Sequence, residues 1–235
     1  MEPSSVPPAA EFDAFAGDYD AAINQGLKFT GEAKEYFAEG RVQWLRQRLA
    51  QQGAAPRTCL DFGCGTGTSA SVLMAGLQLE SYMGYDPSSE SVAEARQAVT
   101  LSGCSFTHQT EQLIPDSFDL AFCNGVFHHI PPAMRAEAFA RVFASVKKGG
   151  WFAFWENNKW NPLVHFIMSR VPFDCDAIML FPHETRASLR TAGFEIALTD
   201  YLFVFPAALK AIRPVEPLLC KLPLGGQYLV LARKP

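Results

Sequence analysis

No apolar run in the 235 residues approaches the ~18–20 needed for a helix to cross a bilayer, so no membrane span is expected. Basic charge is not in excess either. Twenty Lys and Arg stand against 24 Asp and Glu, a formal charge of −4, which argues against the broad basic face of a nucleic-acid binder and leaves open only a local patch. Cysteine pairs are missing as well. Cys59, Cys64, Cys104, Cys123, Cys175 and Cys220 form no C-x-x-C, and four lie in or beside expected strands, where a small thiol packs as an apolar group. A disulfide scaffold gives way to a reduced, cytoplasmic protein. Met1 to Ala10 has neither a basic start nor an apolar run, so no secretory signal is expected. His165 and His183 lack partners at zinc-like spacing, which predicts no metal site.

What is present is a chain of ordinary globular composition, long enough for one large α/β domain and short for two. It is organised around Cys59-Leu60-Asp61-Phe62-Gly63-Cys64-Gly65-Thr66-Gly67-Thr68. The spacing predicts a buried strand over 58–62, a glycine turn, and a helix opening near Thr68. Alternate glycines let a ligand approach the backbone N–H groups closely. Asp61, at the strand's carboxyl end, suits a ligand that carries an ammonium. The run Gly65-Thr66-Gly67-Thr68-Ser69-Ala70 also satisfies the G-x-G-x-x-A dinucleotide fingerprint, so this loop alone leaves a nicotinamide enzyme open.

Upstream, Phe12, Phe15 and Tyr19 suit a short amphipathic helix, either packed on the sheet edge or closing over a cofactor as a lid. Phe37, Arg41, Leu45 and Leu49 recur every four residues in a helix expected from Gly31 to about Gln52. Three apolar members turn that stripe inward, so Arg41 needs a buried anionic partner, internal or from a ligand. Downstream, strands are expected over 79–85, 104–108, 118–124 and 151–156, alternating with helices over 88–101 and 131–146. Lys147-Lys148-Gly149-Gly150 is expected to close the second of these helices with basic residues and glycines. Such alternation predicts a parallel sheet covered on both faces, with ligands beyond the carboxyl ends of its strands.

Several segments then occur in the order and spacing of one known domain. Gly84-Tyr85-Asp86-Pro87-Ser88, Ser117-Phe118-Asp119-Leu120 through Asn124 to Val126-Phe127-His128-His129-Ile130-Pro131, and Lys147-Lys148-Gly149-Gly150-Trp151-Phe152 follow the glycine turn. Together they resemble the class I S-adenosylmethionine (SAM) dependent methyltransferases over about 58–156. The similarity is strongest to the type 11/12 group, which modifies quinones, sugars, lipids and natural products.

The resemblance implies an α/β, Rossmann-like fold. It has a seven-stranded, mostly parallel sheet with helices on both faces, and the last two strands form an antiparallel pair. The expected organisation is a helical lid over 1–30 and a methyltransferase domain over 31–235, with cap insertions at about 157–183 and 206–226. Asp61, Gly63, Gly65 and Gly67 would line the methionine end of SAM, and Arg41 would grip its carboxylate. Asp86 would hold the ribose hydroxyls, Pro87 or Ser88 would flank the adenine, and Glu111 and Gln112 would lie beside it. Asn124 would meet the amino-acid part through its backbone carbonyl. An Asp that the group often has after strand three is absent here, with Gln109 and Glu111 nearest.

For an O-methylation, a histidine near the transferred methyl is the natural base. His128 is expected in that role with His129 as a buried structural donor; the alternative is that both only pin their loop. Glu156 is a second base candidate, or else a loop anchor. The polar run Glu156 to Pro162 is expected to rim the acceptor pocket. Tyr19, Asn157, Trp160, Phe166 and Met179 are candidate acceptor contacts. Two long connections rich in Met and Phe suggest an apolar roof over a substrate with a sizeable apolar part, or a homodimer interface. N- or C-methylation and a non-catalytic SAM-binding module remain alternatives.

Overall fold

The protein is described by a computed structural model covering residues 30–170 and 177–235. The expected N-terminal helix with Phe12, Phe15 and Tyr19, together with Phe173 and Cys175, lies outside the described residues.

Seven strands form one sheet: β1 Thr58–Phe62, β2 Ser81–Tyr85, β3 Cys104–Thr107, β4 Phe118–Asn124, β5 Val146–Asn157, β6 Glu195–Leu202 and β7 Gln227–Arg233. Their order is β3-β2-β1-β4-β5-β7-β6. β1 to β5 run parallel, and β7 is antiparallel to both neighbours. The chain winds outward from β1 to β3 and returns to place β4 on the other side of β1. That reversal opens a crevice above the carboxyl ends of β1 and β4, where open α/β sheets hold ligands.

The central strands read as almost continuous apolar runs because both of their faces are covered. Cys59, Tyr82, Leu120, Phe122 and Trp155 cluster with Leu45 and Leu49 of α1 (Lys34–Gln51), Leu73 of α2 (Ala70–Leu77) and Val92 of α3 (Ser89–Ala98). Leu60, Phe62, Ala121, Phe152 and Phe154 cluster with Phe139 and Val142 of α4 (Pro132–Ser145) and Leu189 of α6 (Pro182–Thr191). Within the second cluster Phe127 stacks on Phe139 at 4.2 Å and meets Phe154 edge-on at 5.1 Å. This anchors the loop after β4 to the core, and the loop carries both candidate histidines.

One reading needs correction. Lys147 and Lys148 do not close a helix: α4 ends at Ser145 and β5 begins at Val146. Lys147 pairs instead with Asp119 at 2.8 Å, and Asp119 also accepts from the Arg57 and Thr58 amides. A carboxylate on the neighbouring strand is available to Lys147, so it pairs there, while Lys148 is exposed. Gly150 sits in a register irregularity between β4 and β5, where an added Cβ would come within 2.9 Å of the Asp119 carbonyl.

The last two connections flank the crevice. α5 (Pro162–Met168) follows β5, and a 3-10 segment at Ala207–Val215 leads into the one-turn α7 (Glu216–Leu219) before β7. Among the described residues, no helix is long and apolar enough to cross a membrane.

Candidate functional site

The glycine turn is built by backbone geometry that side chains resist. Gly63, Gly65 and Gly67 all have positive φ, at 82°, 51° and 78°. The Gly63 and Cys64 amides donate to the Tyr85 carbonyl, closing the turn onto the end of β2. A Cβ on Gly63 would collide with Val126 at 2.3 Å and one on Gly67 with Phe106 at 2.9 Å, whereas one on Gly65 would point into open space. Gly65 is the point at which backbone and ligand can meet.

Asp86 ends β2 beside that point. One carboxylate oxygen accepts from the Gly65 amide at 2.9 Å, the other from the Ser88 amide at 2.9 Å. Ser88 is a different matter. Its side chain is fully buried and caps α3 by accepting from the Ser91 amide at 3.0 Å, so it does not present a face to an adenine. Glu111 and Gln112 lie on an exposed 3-10 turn, where Glu111 accepts from Thr110 and Gln112 donates to Gln109. Pro87 is exposed.

Asp61 is buried under α1, where it accepts from the Tyr82 hydroxyl at 2.7 Å. Burial is the main reason its carboxyl is pushed up to about 7; nearby Asp86 adds to the rise, while Tyr82 and Arg41 oppose it.

A cavity of about 560 Å³ opens between α1, the start of α2, and the ends of β4 and β5. Of the residues expected at the site, it brings together Arg41, Asn124, His128, His129 and Asn157. Asp61, the three glycines, Asp86, Pro87, Ser88, Glu111 and Gln112 are outside its wall, on the neighbouring β1–β2 side. Along the floor, Arg41 donates to the Gln227 side-chain oxygen at 2.9 Å, and Gln227 donates to Asn157 at 3.3 Å. Arg41 is thus inward, as its helical stripe requires, with an amide as one partner. The Asn124 side-chain oxygen is buried and has no hydrogen-bond partner among the described residues. An acceptor left orphaned in a cavity wall marks where a ligand donor fits.

At the inner end, His128 is buried and its Nδ1 lies 2.8 and 2.9 Å from the two Glu156 oxygens. The His128 amide donates to the same carboxylate at 2.9 Å. This corrects the reading of Glu156 as a base: both of its oxygens are committed to His128. A carboxylate accepting from Nδ1–H fixes the ring and leaves Nε2 as the acceptor nitrogen of a neutral imidazole. The two histidines also exchange burial. His128 is the enclosed one and His129 is half-buried, its ring 4.0 Å away.

Three expected acceptor contacts are not in the wall. On α5, Val164, Ile167 and Met168 face the cavity, so Phe166 on the opposite side is turned out and 42 % exposed. Met179 packs with Val164 and Met168 behind the wall. Trp160 lies against Phe181, His183 and Tyr201. Sequence reasoning missed the wall's aromatic half, Tyr36, Phe37, Phe203 and Phe205, and missed Arg213 and Gln227. Phe37 was visible in its helical stripe. Phe203 was not: it sits at φ 64°, costly for a bulky residue, with its ring 5.0 Å from Phe37 and close against Gly40.

Comparison with known proteins gives a consistent result. Residues 60–152 match the family described as "Methyltransferase domain". Trans-aconitate 2-methyltransferases are similar over about 156 residues, or 66 % of this chain. The one from Rhodopseudomonas palustris (strain BisB5) is 26 % identical, and the one from Methylobacterium nodulans is 33 %. The chain spans 57 % and 55 % of those relatives' lengths. A solved SAM-dependent methyltransferase from Thermotoga maritima superposes with a TM-score of 0.68 at 20 % identity, covering 97 % of this chain and 100 % of its own, which establishes the shared fold.

Proposed function

We propose that this chain, which carries the domain of the SAM-dependent methyltransferases over residues 60–152, methylates a hydroxyl group of a small, partly apolar acceptor. The observation that carries the reading is the junction at His128. A cavity that begins at the start of α2, just past the glycine turn, is lined by an imidazole whose Nδ1 is held by Glu156.

The residues present fit the cofactor. Gly65 offers an open backbone approach, Asp86 oxygens for the ribose, Arg41 a cation for the carboxylate, and Asn124 an unsatisfied acceptor. SAM, when bound, supplies a methyl group already activated by its sulfonium, so the protein contributes alignment, exclusion of water and a destination for the acceptor's proton. Arg41 and Gln227 hold the floor in place. α5 and the Phe203–Pro206 segment keep the acceptor side apolar. His128 Nε2 receives the hydroxyl proton, and Glu156 stabilises the imidazolium that results.

The curated relatives are named for trans-aconitate, a carboxylate-rich acid. Apart from Arg41, the charged residues in this wall are Lys34 and Arg213 against Glu32 and Glu35. That balance, with four aromatic rings, favours a less anionic acceptor with a flat apolar body.

The test is His128→Gln, which keeps a donor for Glu156 but not a base. S-adenosylhomocysteine affinity by calorimetry should stay within about twofold of wild type. Transfer of labelled methyl groups to phenolic acceptors should fall by about 10²–10⁴. Undiminished turnover would remove His128 from the chemistry. No binding of the product at millimolar concentration by the wild type would favour a scaffold, and protection by NAD alone an oxidoreductase.

A further inference from the structure

Arg213 is held on three sides, and the Tyr36 hydroxyl also interacts with its guanidinium. Its Nη1 pairs with Glu32 at 2.8 Å, its Nε donates to the Phe205 carbonyl at 3.1 Å, and its guanidinium carbon lies 4.5 Å over the Tyr36 ring. The Phe205 amide in turn donates to Glu216 at 2.7 Å, so a second carboxylate closes the same corner. What is left is Nη2, buried in the cavity region and without a hydrogen-bond partner among the described residues. A buried guanidinium N–H left unpaired costs free energy that only a ligand acceptor or ordered water would recover.

We infer that Arg213 determines acceptor specificity, its Nη2 donating to a neutral oxygen, a ketone, quinone or ether, at the end of a flat acceptor remote from the methylated hydroxyl. This deepens the proposed methyltransferase reading and rests on it. The choice of a neutral oxygen follows from charge. Glu32 already neutralises the guanidinium, and Glu35 and Glu216 stand close by, so a carboxylate entering here meets more negative than positive charge. A carbonyl oxygen accepts the same hydrogen bond without that repulsion. The flat body follows from the walls: Tyr36, Phe37 and Phe203 meet edge to face at 5.0–6.0 Å and present ring surface to the cavity. Burial raises the Tyr36 phenol above its usual range, opposed by Arg213, so this ring stays uncharged across working pH.

A matched pair of probes isolates the claim: 4-hydroxyacetophenone and 4-hydroxybenzoate differ only in the oxygen group opposite the hydroxyl. With the full chain saturated by S-adenosylhomocysteine, the wild type should bind the ketone at least about tenfold more tightly than the acid. Arg213→Met, which keeps an apolar stem on Tyr36, should abolish that preference while leaving S-adenosylhomocysteine affinity within about twofold. Glu32→Gln should shift the preference toward the acid, because the guanidinium charge is then exposed. Equal binding of the two probes, binding of neither, or a ketone preference retained in Arg213→Met would overturn the inference. Failure of S-adenosylhomocysteine to bind the wild type would instead overturn the methyltransferase reading beneath it.

Discussion

Burial of Asp61 beneath α1 ties both folding and ligand affinity to pH. Its folded value of about 7 lies above the ordinary 3.8, mainly because burial disfavours the charged form. A carboxyl raised in this way contributes stability that is complete below about pH 4 and is lost as the pH climbs to about 7. The slope is about 1.4 kcal/mol per pH unit within that window. Asp61→Asn keeps an oxygen for the Tyr82 hydroxyl and removes the titration. Urea denaturation at pH 5, 6, 7 and 8 should show the variant gaining on the wild type up to about pH 7 and holding a constant lead above it. An ammonium-bearing ligand favours the ionised carboxylate, so wild-type affinity for S-adenosylhomocysteine should improve by up to about tenfold per unit up to pH 7 and then level off. Parallel stability curves for the two proteins would show that Asp61 ionises normally.

At the scale of elements, the run after β5 proves to be a splice as well as a pocket rim. Asn158 is fully buried, donating to the Pro223 and Gly225 carbonyls at 3.0 and 2.8 Å and accepting from the Trp160 amide at 3.2 Å. Asn161 caps α5 through the Leu163 amide and reaches the Leu224 carbonyl at 2.9 Å. Two asparagines thus tie the end of β5 to the turn that delivers Gln227 to the cavity floor. Gly225 packs so tightly on Leu202 that a Cβ would lie 2.2 Å from its carbonyl oxygen, so this turn has little room to adjust. Asn158→Asp replaces a double donor with an acceptor facing two carbonyls. It should destabilise by about 3–5 kcal/mol, as an uncompensated buried charge does, and by more than Asn158→Ala. Thermal melts of the two variants at pH 7 decide it: an Asp variant as stable as the Ala variant would mean the carbonyls turn away.

For the whole molecule, what was legible in the sequence follows from where backbone and burial dominate. β1 and β4 stand at the expected residues because apolar runs bounded by turn residues leave a strand little freedom. Asp86 and the glycines are where motif and topology require them. Phe166 was misplaced because the sequence of α5, only seven residues long, does not fix which face turns inward; Trp160 and Met179 lie outside that helix, and their packing partners are set by tertiary contacts that local sequence does not show. Gln227 was illegible for another reason: its partners are 186 and 70 residues away.

That long-range contact joins the two halves of the sheet. Arg41 belongs to the helix over β1, Asn157 to the end of β5, and Gln227, at the start of the antiparallel β7, touches both. Ligand bound against Arg41 should therefore stabilise the molecule as a whole. At a hundredfold over Kd the gain is about 2.7 kcal/mol, which for a chain of this size raises Tm by about 5–10 °C. Gln227→Leu leaves the fold of β7 intact but removes a hydrogen bond to a charged group, worth about 1.5–3 kcal/mol. S-adenosylhomocysteine should then bind about tenfold or more weakly, and the thermal shift at the same ligand concentration should shrink by about half. Gln227→Glu offers Arg41 a carboxylate that competes with the ligand's own, so it should keep the apo Tm and still lose affinity. A full thermal shift in both variants would mean that Arg41 holds its ligand without help from β7, and that the two halves respond separately.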